Sequence, residues 1–351
     1  MTQRNIVWLQ TSFLGDIVLT TGAMGVCHGL RPEWKQYLIT TSIGAAALED
    51  HPYLEKSVIF HKREMSLLKA VREIKQQLAD CAKETTVLLQ PHKSFRSSLL
   101  AKMLGFRTIT YCESSGAVLS DEQVPRVSMF HEAVRIALLL EPLGIRREEI
   151  LAAKPKLFPL PSSHKSLNLF NDAHKVAMAP GSVWGTKKWP KEKYKQLAAT
   201  IMEKSESVLV LLGSKAELSD CGYIEDSLGD YKERIINLCG ETSLSELRAV
   251  YPHLDLVVAN DSSAIHYAAA FEVPTVAIFG ATVPEMGFGP LSPDCSVVET
   301  QNLECRPCSD HGPKVCPLGH FRCMNSISVE KVWDHCVPYM RSPASPSPGR
   351  M

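Results

Sequence analysis

The stretch Asn5-Ile6-Val7-Trp8-Leu9-Gln10-Thr11-Ser12-Phe13-Leu14-Gly15-Asp16 passes from a short apolar, partly β-branched run into a glycine-containing turn and then into a helical pattern. A run of that length bounded by small polar residues predicts a buried strand, here residues 5–9. Outward from it the alternation recurs: residues 36–39, 58–60, 86–89 and 108–111 predict strands, and 64–82 and 129–143 predict helices. Strands separated by helices need right-handed crossovers, so the expected product is a parallel, doubly wound sheet with helices on both faces. Residues 175–178, 208–212, 254–258 and 275–279 repeat the strand pattern, with helices expected at 191–204, 216–228, 243–251 and 263–271. The expected fold class is therefore α/β, with two Rossmann-like doubly wound domains facing a cleft at the carboxyl ends of their strands. The expected boundaries are 1–160, a Pro- and Ser-rich linker at 161–173, a second domain at 174–340 and a disordered tail at 341–351.

Length and composition agree with this division. The 351 residues suit two domains of ordinary size, and 45% hydrophobic with 22% charged residues excludes a disordered, collagen-like or coiled-coil chain. Lys+Arg and Asp+Glu both total 38, which argues against a protein whose main business is binding nucleic acid or another polyanion. Residues 1–160 nevertheless carry 20 basic and 16 acidic side chains, so an anionic partner is expected on the first half. No stretch reaches the roughly 18 consecutive apolar residues of a membrane span, and Asp16 interrupts the first apolar segment, so a cytoplasmic protein is expected. Eleven cysteines, an odd number, read as reduced thiols.

Three segments carry chemistry. The first is the turn after the opening strand, where Ser12, Gly15 and Asp16 stand at a strand's carboxyl end. Asp16 has an ordinary reading as a helix-capping carboxylate and a sharper one as a general base. The dinucleotide spacing G-x-G-x-x-G is absent here, which counts against a dehydrogenase. In the second, Ala179-Pro180-Gly181-Ser182-Val183-Trp184-Gly185-Thr186-Lys187-Lys188-Trp189-Pro190, small residues let backbone N–H groups approach an anion and a lysine offers it a point charge, although paired lysines are also common on plain surface. The third, Asn260-Asp261-Ser262-Ser263-Ala264-Ile265-His266, delivers Asp261, Ser262 and Ser263 to a helix N-terminus, a second amide nest. His266, one turn further in, reads either as a core histidine or as a group facing a ligand.

Taken in order, these segments resemble the ADP-heptose:lipopolysaccharide heptosyltransferases of glycosyltransferase family 9. The resemblance extends to His92-Lys93-Ser94-Phe95-Arg96-Ser97-Ser98-Leu99-Leu100-Ala101 and to Phe279-Gly280, and it covers nearly the whole chain. It implies the GT-B architecture, with an N-terminal acceptor-binding domain and a C-terminal nucleotide-sugar-binding domain. It implies metal-independent, cofactor-free, inverting transfer of heptose from ADP-heptose to the lipopolysaccharide inner core (Kdo-lipid A) by a protein peripheral to the inner face of the inner membrane. Asp16 stands where the family places its base. Lys187 and the amides at Asp261, Ser262 and Ser263 are implied to stabilise the departing ADP. Gly181, Thr186, Glu217 and His266 are implied donor contacts, with Glu217 placed for the ribose hydroxyls or, in its ordinary reading, solvated in a first helical turn. Ser12, Gly15, Lys93 and Arg96 are implied acceptor contacts, and Lys62 and Arg63 add candidate cations. Ser263 stands where the family commonly has glycine, and Gly22 where it usually has proline, which reads as a change of helix geometry.

Cys305-x2-Cys308-x7-Cys316-x6-Cys323 is compatible with a four-thiolate structural zinc site, although its second pair is wider than the usual half-site. A similar segment occurs among second-heptose enzymes of the family, which favours a heptosylated acceptor and the type II enzyme. Two alternatives stay open: a GT-B transferase using another nucleotide sugar, and a zinc-dependent binding protein centred on residues 305–323.

Overall fold

A computed structural model describes residues 4–62, 64–160 and 172–340. The expected linker at 161–173 falls almost wholly outside these residues, as do the tail at 341–351 and Arg63. The chain divides into two compact units, Met1–Phe158 and Pro159–Met351.

In the first unit β1 (Asn5–Leu9), β2 (Lys35–Thr40), β3 (Lys56–Ile59), β4 (Thr86–Gln90), β5 (Arg107–Tyr111) and β6 (Glu122–Val124) form one sheet in the order β3-β2-β1-β4-β5-β6. Every pairing is parallel. Side chains alternate across a sheet. Val7, Leu9, Tyr37, Ile39, Val58 and Leu88 accordingly face one side, where they pack with Ala70, Val71 and Ile74 of helix Leu67–Gln77 and with Leu100, Ala101 and Leu104 of helix Phe95–Leu104. Helices Leu14–Leu30 and Glu132–Leu138 pack against each other. Within the sheet, Trp8 Nε1 donates to Gln36 Oε1 at 2.9 Å. Gly22 has a steric reason beyond helix geometry, because a Cβ there would lie 2.9 Å from the carbonyl carbon of Lys154, whose segment crosses the helix.

The second unit repeats the plan with β7 (Lys175–Ala179), β8 (Val208–Leu211), β9 (Ile235–Asn237), β10 (Leu256–Asn260), β11 (Thr275–Phe279) and β12 (Cys295–Glu299), ordered β12-β11-β10-β7-β8-β9 and all parallel. Val176, Met178, Leu209, Leu211, Val258 and Ile278 meet Tyr194, Leu197 and Ile201 of helix Lys191–Lys204 and Val332 and Cys336 of helix Val329–Cys336.

In each sheet the chain winds one way and then the other, so the order reverses between β1 and β4 and between β7 and β10. Loops leave the carboxyl ends of those neighbours in opposite directions and open a crevice for ligand.

Helices shorter than expected have local causes. Ser66 Oγ accepts from Lys69 N at 3.4 Å and starts the first of them at Leu67, and His131 caps Glu132–Leu138. Leu88→Ala, at a fully buried β4 position, should lower stability by about 2–5 kcal/mol. Leu68→Ala, 73% exposed on the same unit, should change it by less than about 0.5 kcal/mol. Urea denaturation followed by tryptophan fluorescence measures both.

Candidate functional site

At the β1/β4 reversal the two strand ends are stitched together by side chains. Gln90 Nε2 donates to His92 O at 2.8 Å and to Ser98 Oγ at 2.9 Å. His92 Nδ1 lies 3.0 Å from both Thr11 Oγ1 and Ser97 Oγ. Lys62 Nζ donates to Thr11 O at 2.6 Å, bringing a cation to the end of β1. Ser12 N donates to Gln10 Oε1 at 3.3 Å, and Gly15 and Asp16 follow in the first turn of helix Leu14–Leu30. Asp16 is half-buried, and its carbonyl accepts from Thr20 Oγ1 at 2.8 Å. Lys93 is exposed beside this cluster. Arg96 turns elsewhere: its guanidinium carbon sits 5.6 Å from the Phe60 ring centroid and Nη2 donates to Met65 O at 3.3 Å.

Burial, then the nearby Lys62 and Lys93 ammonium groups, push the His92 imidazole down to about 4. The ring is therefore neutral at neutral pH and serves as a hydrogen-bonding bridge in a cationic corner.

At the β7/β10 reversal the side chain of Asn260, fully buried, ties the loops together. Its Nδ2 donates to Pro180 O at 2.8 Å, and its Oδ1 accepts from Trp189 N at 3.1 Å. Between these anchors the turn Gly185–Lys187 carries the Lys187 ammonium to 2.6 Å from Asp261 Oδ2, with both side chains largely buried. Ser262 caps helix Ser263–Ala270, its Oγ accepting from Ala264 N at 3.4 Å, so the first amides of that helix adjoin the Lys187–Asp261 pair. Glu217 packs on Gly181, where a Cβ would lie 2.4 Å from Glu217 Cγ. The Glu217 carboxylate is committed to a capping box, accepting from Ser214 N at 2.9 Å and Ser214 Oγ at 2.6 Å.

Gly181, Thr186, Lys187, Glu217, Asp261, Ser262 and Ser263 are thus gathered at one strand-end crevice. Thr186 donates its hydroxyl to Pro313 O at 2.5 Å, and His266 is 4% exposed within its helix. Lys188 points away, 3.4 Å from Asp220 Oδ2. Thr282 and Arg306, which contact this site or its supports, carry no motif of their own in the sequence; three-dimensional proximity alone reveals them.

All four clustered cysteines are free thiols, Cys305 and Cys308 half-buried and Cys316 and Cys323 buried. Their chemistry suits zinc, yet among the described residues no group of three or more His, Cys, Asp or Glu side chains is gathered to hold a metal ion. The residues as placed do not fit the expected zinc site. Cys323 instead packs in the core with Val298, Met324 and Ile327.

Residues 71–318 match the model of glycosyltransferase family 9 (heptosyltransferase). Lipooligosaccharide heptosyltransferase 2 of Campylobacter jejuni is 32% identical over 170 residues, 47% of this chain and 51% of that protein, so the match spans about half the length of the relative. Among solved structures, ADP-heptose lipopolysaccharide heptosyltransferase II of Escherichia coli superposes with a TM-score of 0.76 at 18% identity, covering 95% of this chain and 98% of that one. A family 9 glycosyltransferase from Veillonella parvula gives 0.80 at 19%, covering 96% and 97%. Two six-stranded parallel sheets with flanking helices make this the GT-B fold of those enzymes.

The neutral state of His92 has a pH signature. The unfolded imidazole titrates near ~6.5, so between that value and about 4 the unfolded chain binds the extra proton. Stability is then fully present above this window and lost as pH falls through it. Melting temperature of the natural protein should fall more steeply from pH 7 to 4 than that of His92→Asn; equal slopes would contradict the assignment.

Proposed function

Because the chain belongs to glycosyltransferase family 9, we propose that it transfers heptose from ADP-heptose to the inner core of lipopolysaccharide, adding the second heptose to a heptosylated Kdo-lipid A acceptor. The observation that carries this reading is the Lys187–Asp261 pair set against the amides of helix Ser263–Ala270 at the β7/β10 reversal. A cation and oriented N–H groups at one crevice suit a diphosphate.

In the proposed step the acceptor hydroxyl attacks the anomeric carbon as its proton passes to the Asp16 carboxylate. The new C–O bond forms while the bond from the anomeric carbon to the ADP oxygen breaks, and configuration inverts. Negative charge grows on the departing diphosphate. Lys187 and the first amides of helix Ser263–Ala270 are there to stabilise it more strongly than the bound donor. Glu217 has its carboxylate engaged with Ser214, and the ribose hydroxyls would meet an acceptor already held in one rotamer. Lys62 and Lys93 give the β1/β4 corner its positive charge and are the proposed partners of acceptor carboxylates and phosphates. Arg96, stacked toward Phe60, would need to turn to join them.

No helix among the described residues is long and apolar enough to cross a membrane. The proposed acceptor is anchored in lipid, so the proposed place of action is the cytoplasmic surface of the inner membrane.

ADP release tests this reading. Turnover should appear with ADP-heptose and heptosylated Kdo-lipid A, stay at background with Kdo-lipid A lacking heptose, and fall by about 10²–10⁴ in Asp16→Ala. Turnover with neither acceptor by folded protein would overturn the donor or acceptor assignment. Full activity of Asp16→Ala would overturn its role as the base.

A further inference from the structure

The cysteine-rich segment does mechanical work at the donor crevice, and one arginine within it organises that work. Arg306 has a side chain only 6% exposed. Its Nε donates to Gly280 O and its Nη1 to Thr300 O; its Nη2 donates to Thr282 O at 2.8 Å and to Glu299 Oε2 at 2.7 Å. One planar guanidinium therefore clamps the chain leaving β11 to the chain leaving β12. A lysine ammonium has three donors and no fixed fork and could not hold these four acceptors at once.

The clamped chain includes Thr282, itself 3% exposed, and its hydroxyl donates to Asp261 Oδ2 at 2.6 Å. That oxygen is the one 2.6 Å from Lys187 Nζ. Two donors on one carboxylate oxygen fix the Asp261 rotamer, and Asp261 then fixes the end of an otherwise flexible four-carbon stem. The same segment supports Lys187 from the other side. Cys308 N donates to Ala281 O at 2.8 Å, and Pro313 O accepts from Thr186 Oγ1. Gly280 permits this closeness, since a Cβ there would lie 2.8 Å from Thr186 O.

We propose that Thr282 and Arg306 are positioning residues for Lys187: the guanidinium sets the Thr282 backbone, the Thr282 hydroxyl sets Asp261, and Asp261 holds the ammonium where the diphosphate leaves. The catalytic part of this proposal rests on the donor reading above; the positional part does not. Removing the hydroxyl while keeping shape loosens Lys187 without touching any ligand.

Two measurements on Thr282→Val, Thr282→Ser and Arg306→Lys test it. Competitive acetylation read by peptide mass spectrometry reports Lys187 itself. Acetylation of Lys187 should rise at least fivefold in Thr282→Val and Arg306→Lys and stay near the natural value in Thr282→Ser, at similar melting temperatures. Unchanged reactivity in Thr282→Val overturns the proposal, whether or not the protein turns over ADP-heptose. In the transfer assay, Thr282→Val should lower kcat about tenfold with donor KM changed less than threefold, and Thr282→Ser should restore it. The loss should vanish when Thr282→Val is placed in a Lys187→Gln background, since additivity fails for residues acting through one another. An equal tenfold loss in that background would show Thr282 acting independently of Lys187. A natural protein that releases no ADP would defeat the functional reading alone, leaving acetylation to decide the positioning claim.

Discussion

Reversal of strand order within each parallel sheet is the constraint on which the rest depends. Loops at the β1/β4 and β7/β10 ends depart in opposite directions, which leaves a gap between them at each reversal. Polar side chains span that gap: His92 Nδ1 lies 3.0 Å from Thr11 Oγ1 between the β4 and β1 loops, and Asn260 at the end of β10 joins the loop that follows β7. With the loops pinned, short polar segments can present Asp16, Lys62 and Lys93 at one crevice and Lys187, Asp261 and Ser262 at the other.

Charge at the second crevice follows the rule for buried ions. Lys187 and Asp261 are too enclosed to stand alone, and each unpaired would be strongly destabilising. Their pairing, reinforced by Thr282, fixes an ammonium near helix amides, which is the preorganisation that the proposed stabilisation of a leaving group requires. The segment 305–323 gives this arrangement its rigidity through Arg306 and Pro313. Its cysteines form part of that packing, with Cys323 in the core.

Much of this was legible in the sequence, for identifiable reasons. Central strands such as Asn5–Leu9 and Thr275–Phe279 are buried along their whole length and appear as unbroken apolar runs. The edge strands Glu122–Val124 and Ile235–Asn237 have three residues each, and Cys295–Glu299 is largely half-exposed, so none shows a run or an alternation long enough to read. Lys187 and Asp261 were visible because each sits in a small-residue segment following a strand. Arg306 was not, because its partners are carbonyls at the ends of two strands and a carboxylate on one of them, assembled only by folding. The cysteine spacing suggested zinc because spacing conveys ligand type but not the placement of the sulfurs, and among the described residues no group of three or more candidate ligands is gathered to hold a metal.

Lys187, and not its neighbour Lys188, is the proposed partner of the diphosphate. Calorimetric titration with ADP tests it most directly. Lys187→Gln should weaken ADP binding by roughly 10- to 100-fold, the loss of a charge-assisted contact of about 1.5–3 kcal/mol. Lys188→Gln, whose ammonium faces Asp220, should leave binding within about twofold of the natural value. Undiminished ADP binding by Lys187→Gln, or a larger loss in Lys188→Gln, would rule out Lys187 as the diphosphate's partner.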